Sequence, residues 1–221
     1  YTHPPSIELA EKLLSKAPAN MRQVRYMNSG GEADDHALQL ARLHHARQGQ
    51  PERRKILVQR EAYHGSTMAG IELSGGRPGI AGPSPDVVFL TPPRPYHAGK
   101  ENVTQASVAE LRQIIEEQGA DQIAALFAEL IPAPAGMIPL PADYWASIAA
   151  VLKEYGILFV ADEVVTGFGR TGSWFAAGHY SIEPDMIVLA KGMASGYMPM
   201  GAVLMGEALV ETTNGIGPGN S

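Results

Sequence analysis

The sequence predicts an α/β domain: a mostly parallel sheet with helices on both faces. Short segments such as residues 123–128 (IAALFA), 157–161 (ILFVA) and 186–190 (MIVLA) are apolar at every position, as strands covered on both faces are. Amphipathic stretches with helical spacing lie between them, and that alternation marks this class. The 221 residues, 45% of them hydrophobic, are enough for one large domain with a substantial core.

Each element has its own signal. Residues 6–16 read as a helix behind a Ser6 cap, with Ala10, Leu13, Leu14 and Ala17 at helical spacing. Residues 33–48 form a second helix, ended by Gly49; it would leave His44 and His45 exposed. Residues 55–59 (KILVQ) and 87–90 (VVFL) are strands. Ser107 and Glu110 make a capping box for a helix with Val108, Leu111 and Ile115 on one face, and Gly119 stops it. A proline-rich loop follows the strand at 123–128. The next helix carries Tyr144, Ile148, Val151, Leu152 and Tyr155 on its inner face and closes at Gly156. Strands at 157–161, 186–190 and 202–205 complete the sheet, with no internal repeat or low-complexity segment. Both ends read as cut. The glycine-rich coil at 214–221 in particular predicts a piece of a longer chain.

Charge and composition exclude several classes. A net charge of -6, a pI near 5.6 and the lack of any basic run argue against nucleic acid or an anionic membrane as partner. The absence of cysteine fits a reducing compartment. Residues 1–5 (YTHPP) have neither the basic nor the apolar region of a signal peptide. The longest apolar stretch, 123–142, contains Glu129 and the prolines Pro132, Pro134, Pro139 and Pro141, which a spanning helix would not tolerate together. The expectation is a soluble, cytoplasmic protein.

Ligands of open parallel sheets sit at the carboxyl ends of the strands. Three apolar strands here each end on an ionisable group: Glu129, Asp162 and Lys191. Any one of them could be an ordinary polar strand end; together they point to one rim. A lysine and an aspartate facing one pocket suit pyridoxal 5'-phosphate (PLP). The amine condenses with the cofactor's aldehyde, and the carboxylate pairs with the ring nitrogen. The turn from Asn28 to Ala33 (NSGGEA) precedes a helix, where glycines let backbone N–H groups reach a phosphate. The same turn also reads as a plain capping box of Ser29 with Glu32. Tyr63, in the loop after KILVQ, could stack on a flat ring, although a tyrosine there is more often packing. No histidine shows metal-ligand spacing. Asp162 and Glu163, adjacent on extended backbone, point to opposite sides. No metal site is expected.

At this point the residues resemble a known family. DEVVTGFGRTG at 162–172, PDMIVLAKG at 184–192 and GYMPMGA at 196–202 resemble the signature of class III (omega-type) aminotransferases of PLP fold type I. NSGGEADDHALQLAR and YHGST resemble the family's phosphate turn and aromatic loop, and the likeness covers nearly the whole chain. It implies that Lys191 forms the Schiff base and carries a proton between Cα and C4′, and that Asp162 binds the pyridine nitrogen. Val164 would pack on one face of the ring and Tyr63 on the other, with Gly30 and Gly31 holding the phosphate. Glu129 would lie near the substrate and meet an arginine from a C-terminal part. Arg170 would be structural. In three places the chain departs from the family pattern. Gly31 stands where Ser or Thr is usual, Val165 where glutamine is frequent, and Leu130–Ile131 where a proline is common.

The resemblance also implies a homodimer, a small amine or amino acid and a keto acid as substrates, and a longer chain. Residues 1–221 would be the PLP-binding large domain, without an N-terminal segment or a C-terminal small domain. Alone it is expected to bind PLP weakly and turn over poorly. Amino-group transfer is the leading activity. An aminomutase or decarboxylase on the same fold is the first rival, because the fold does not fix which Cα bond breaks. An ATPase is remote: ILFVADE looks like a Walker B strand, but 1–161 contain no G-x-x-x-x-G-K-[ST]. A non-catalytic relative would have no reason to keep both Lys191 and Asp162.

Overall fold

The structure, a computed structural model, describes residues 3–80, 82, 84–98 and 100–213. The coil at 214–221 lies outside the described residues. In chain order the elements are α1 (Pro4–Leu14), β1 (Met21–Met27), α2 (Gly30–Arg47), β2 (Lys55–Gln59), α3 (Met68–Leu73), β3 (Val87–Leu90), α4 (Pro95–Ala98), α5 (Lys100–Gln118), β4 (Ile123–Glu129), α6 (Tyr144–Glu154), β5 (Leu158–Asp162), α7 (Ala176–His179), β6 (Met186–Leu189), β7 (Gly201–Gly206) and α8 (Glu207–Thr213). The seven strands make one sheet in the order β1-β7-β6-β5-β4-β2-β3. From β3 to β6 neighbours are parallel; β7 runs antiparallel to both β6 and β1. The mostly parallel sheet is as expected.

Alternation along the strands divides the core into two layers. Ile56, Val58, Phe127, Val160 and Val188 pack with Ala33, Ala37 and Leu40 of α2 on one face. Leu57, Leu126, Phe159 and Ile187 pack with residues of α5 and α6 on the other. Trp145 of α6 is fully buried there, stacked on Phe159 at 5.6 Å, with its indole N–H donating to the Leu130 carbonyl at 2.9 Å. Trp145→Phe should therefore lose about 1–3 kcal/mol, since it leaves a buried carbonyl unpaired and a void beside it. The urea unfolding midpoint measures this; an unchanged midpoint would mean that the indole contributes nothing.

Several expectations need correction. The first helix begins at Pro4, not Ser6. Prolines suit the first turn, so the cap moves upstream to His3, whose Nδ1 accepts from the Ser6 N–H at 3.3 Å. The second begins at Gly30 behind Ser29 rather than at Ala33. Ser107 and Glu110 are no capping box: they lie inside α5, and Glu110 instead accepts from the Thr91 N–H at 3.0 Å. His44 and His45 are buried, because α8 and the sheet cover α2 from two sides. His44 Nδ1 meets Thr212 Oγ1 at 2.7 Å, and His45 Nε2 meets the Ala124 carbonyl at 2.9 Å. Burial lowers the His44 pKa to about 4. β1 (MRQVRYM) escaped the sequence reading because arginines break its apolar pattern.

Candidate active site

Three charged strand ends meet at one rim. Glu129 and Asp162 are register partners across β4 and β5, and Lys191 follows β6, the next strand. All three line a cavity of about 760 Å³, together with Gly30, Gly31 and Tyr63. That volume lies within the range of sites for small molecules. Lys191 and Asp162 thus border one space.

Asp162 is buried, and both its oxygens are held. Oδ1 accepts from the Val164 N–H at 3.0 Å, and Oδ2 lies 2.8 Å from His64 Nδ1. His64 is itself fully buried, edge-on to Phe127. A carboxylate fixed this way has one orientation to offer the cavity. Glu163 turns to the opposite side, as extended backbone requires. There it accepts from the Ala176 and Ala177 N–H groups at 2.6 and 2.8 Å and from the Thr166 hydroxyl at 3.0 Å. It thus ties the 162–172 segment to the start of α7.

Lys191 sits at φ 40, a left-handed conformation that costs a side-chain-bearing residue about 1–2 kcal/mol. Strain of this kind is held where the surroundings impose it, often at functional sites. Here the chain leaves β6 and turns at once into the 3-10 turn Lys191–Met193. The Lys191 side chain is exposed and makes no hydrogen bond or ion pair among the described residues. The amine is therefore available to a ligand.

Opposite lies the N-terminus of the 18-residue α2. Ser29 caps it by accepting from the Glu32 N–H at 3.2 Å, while Glu32 reaches past the cap to the Asn28 N–H at 2.9 Å. The N–H groups of Gly30 and Gly31 have no acceptor within the helix and sit at its positive end. A Cβ on Gly65 would come within 2.6 Å of the Gly31 Cα, so this approach of two backbones needs glycine at 65. At Gly31 a Cβ would make only ordinary contacts, 3.4 Å to Thr67 Cγ2. Crowding is not what keeps a hydroxyl-bearing residue from position 31. Tyr63, half exposed, and Val164 both border the cavity. So do Val165 and Arg170.

Glu129 is held differently from a free substrate ligand. Its oxygens accept from the Tyr63 and Ala133 N–H groups at 2.9 and 3.1 Å, so it pins both loops beside the cavity. Burial, the largest influence, raises its pKa above the usual glutamate range despite those donors. One further group went unnoticed in the sequence. Asp34 of α2 is buried and lines the same cavity. Asp34, His64 and Asp162 offer ligand atoms all within 4.8 Å of one another. The three come from distant segments, which no spacing in the sequence brings together.

Comparison with known proteins gives the family and the fold. The profile of the family described as aminotransferase class-III matches residues 1–220. A putrescine–pyruvate aminotransferase of Pseudomonas aeruginosa is 39% identical over 220 residues, covering 96% of this chain and 48% of its own length. A diaminobutyrate–2-oxoglutarate transaminase of Halomonas elongata is 36% identical over 99% of this chain and 50% of its own. Among solved structures, an (S)-enantioselective omega-transaminase from Thermomicrobium roseum superposes with a TM-score of 0.91 at 38% identity, covering 96% of this chain and 49% of that one. The omega-transaminase from Pseudomonas jessenii in complex with PMP gives 0.92 at 36% identity, over 96% and 49% of the two chains. The chain spans about half the length of these relatives.

Proposed function

The chain belongs to the class III aminotransferase family, and from that premise we propose that it is the cofactor-binding large domain of a PLP-dependent transaminase. The reaction moves an amino group from a small amine or amino acid to a keto acid. One observation carries the reading: an unpartnered lysine amine, a fixed carboxylate and a helix N-terminus surround one cavity of suitable size. The residues fit the cofactor. Lys191 would hold the aldehyde, Asp162 the ring nitrogen, and the N–H groups of Gly30 and Gly31 the phosphate; Val164 and Tyr63 would border the ring. The orphaned His64 Nε2 and the tight space around Gly30, where a Cβ would lie 3.1 Å from Val164 Cγ2, fit a site shaped for a ligand rather than for internal packing. A relative solved with PMP supports the same cofactor.

Bound there, PLP supplies the electron sink for the charge left when a proton leaves the substrate Cα. The chain's own groups do the rest. Asp162, oriented by His64 and by the Val164 N–H, offers the negative charge that keeps the ring nitrogen protonated. Lys191, once its amine is free, holds and moves the proton at Nζ. Glu129 fixes the two loops that border the substrate's side of the cavity. The working enzyme on this reading is a cytoplasmic homodimer. Tyr63, Met137 and Met198, 52–58% exposed, sit around the cavity, an apolar rim that a second copy would cover. Among the described residues no helix is long and apolar enough to cross a membrane.

The deciding experiment gives the whole protein PLP, pyruvate and a primary amine such as putrescine, the donor named for one relative. Alanine should accumulate together with the carbonyl product of the donor. Carbon dioxide release, or an isomerised amine without alanine, would replace transamination with the decarboxylase or aminomutase reading.

A further inference from the structure

Asp34 has no part in the reading above, yet it is almost completely buried, at 2% exposure, and its Oδ1 has no partner. It faces Asp162 and His64 within 4.8 Å, and its charged neighbours also include Asp35, Glu129 and Lys191. Two buried aspartates that close disfavour each other's ionisation unless a cation lies between them. His64 Nε2 is buried and has no partner either. Lys191 is exposed and turned to the ligand space. The Val164 N–H and His64 hold the oxygens of Asp162, while Asp34 Oδ1 has no partner. The remaining proton belongs on Asp34, whose carboxyl is pushed well above the usual range by burial first and by Asp162 second.

We propose that Asp34 is the proton store of this site, holding as a neutral acid the proton that the cofactor's ring nitrogen takes up beside Asp162. The inference rests on the PLP reading and extends it. When a ring nitrogen enters unprotonated, the O–H bond of Asp34 breaks and an N–H bond forms on the ring. Asp34 is left as a carboxylate, now balanced by the cation on the ring. No electron is exchanged, and no proton comes from solvent. Asp34 is thus a positioning residue that sets the charge of the pocket, acting through its contacts with Asp162 and His64.

The test is infrared spectroscopy of the whole protein labelled with carboxyl-¹³C aspartate, without and with pyridoxal phosphate, for the wild type and Asp34→Asn. At neutral pH the ligand-free wild type should show a protonated aspartic acid band that is missing in the variant, and the band should fade as the cofactor binds. Calorimetry in two buffers of different ionisation enthalpy should then find Asp34→Asn taking up about one more proton per cofactor bound than the wild type. A wild type without the band, a band that survives in the variant, or one that persists on binding would each overturn the proposal. If the variant does not fold, the wild-type band and its response to cofactor decide alone. A whole protein that shows the band but never gains the cofactor's visible absorbance fails the PLP reading and takes this role with it. Absorbance without the band fails only the role of Asp34.

Discussion

Lys191→Ala is expected to abolish the long-wavelength absorbance of lysine-bound cofactor when the chain is mixed with saturating PLP. In the whole enzyme it should also cut amino transfer by about 10²–10⁴-fold from the lost proton carrier alone. The physical reason is that no other described amine borders the cavity. Arg170 is the other cation there, and a guanidinium stays protonated at any working pH. The loss should not come from misfolding. The side chain is exposed and makes no contact that would leave a void or an orphaned partner, and alanine tolerates the left-handed backbone no worse than lysine. Thermal stability should change by no more than about 0.5 kcal/mol. A variant that keeps the wild-type spectrum would remove Lys191 from the cofactor and bring down the functional reading with it.

That lysine was legible in the sequence because a strand's end is a local signal. An apolar run followed by a charged residue marks where the chain leaves the core, and three such runs in parallel must leave it at the same edge. Glu129, Asp162 and Lys191 are therefore readable as one set from the sequence. The same local logic separated Asp162 from Glu163. Other parts depend on contacts far apart in the chain. Asp34 and His64 reach Asp162 from residues 128 and 98 positions away, and no spacing rule joins them. His64 stood in plain view inside YHGST, but nothing nearby announced that its ring would be sealed under Phe127. His44 and His45 looked solvated on a helix with charged neighbours; α8 covers the first and the sheet the second. β1 pairs antiparallel with β7 at the sheet's edge, where half-buried positions tolerate the arginines that hid it.

Glu163 shows how the segment that carries Asp162 is kept in place. The carboxylate enters the cavity from the end of β5, and the chain must then turn through Thr166, Gly167 and Phe168, the last at φ 63, without drifting into the space a ligand needs. Glu163 prevents that drift from the far side. It is fully buried, it gathers two backbone N–H groups at the start of α7, and it holds the Thr166 hydroxyl; the Gly167 N–H closes on its own carbonyl at 2.9 Å. Gly167 is obliged to be small here, since a Cβ would lie 2.9 Å from that carbonyl.

Glu163→Ala should consequently be among the most damaging single changes in the chain. It orphans three donors in a water-free place at about 1–3 kcal/mol each. Even with partial relaxation, the loss should be on the order of 3 kcal/mol or more, roughly 6–12 °C in melting temperature for a domain of this size. Glu163→Gln keeps the volume and one acceptor oxygen, so it should lose less. The pair also reports on charge. Burial, the largest influence, holds the Glu163 carboxyl above the usual glutamate range against the pull of its three donors. A carboxyl raised by folding contributes stability that is whole below the ordinary range and is lost as pH rises through its raised value. Asp34, Glu129 and Asp185 are raised for the same first reason and add to this downward slope as pH climbs out of the acid range, while His36, His44 and His45, lowered first by burial, oppose it. Glu163→Gln should flatten that slope without removing it. Melting curves from mildly acid to neutral pH measure both effects, and a variant slope as steep as the wild type's would show that Glu163 is ionised throughout.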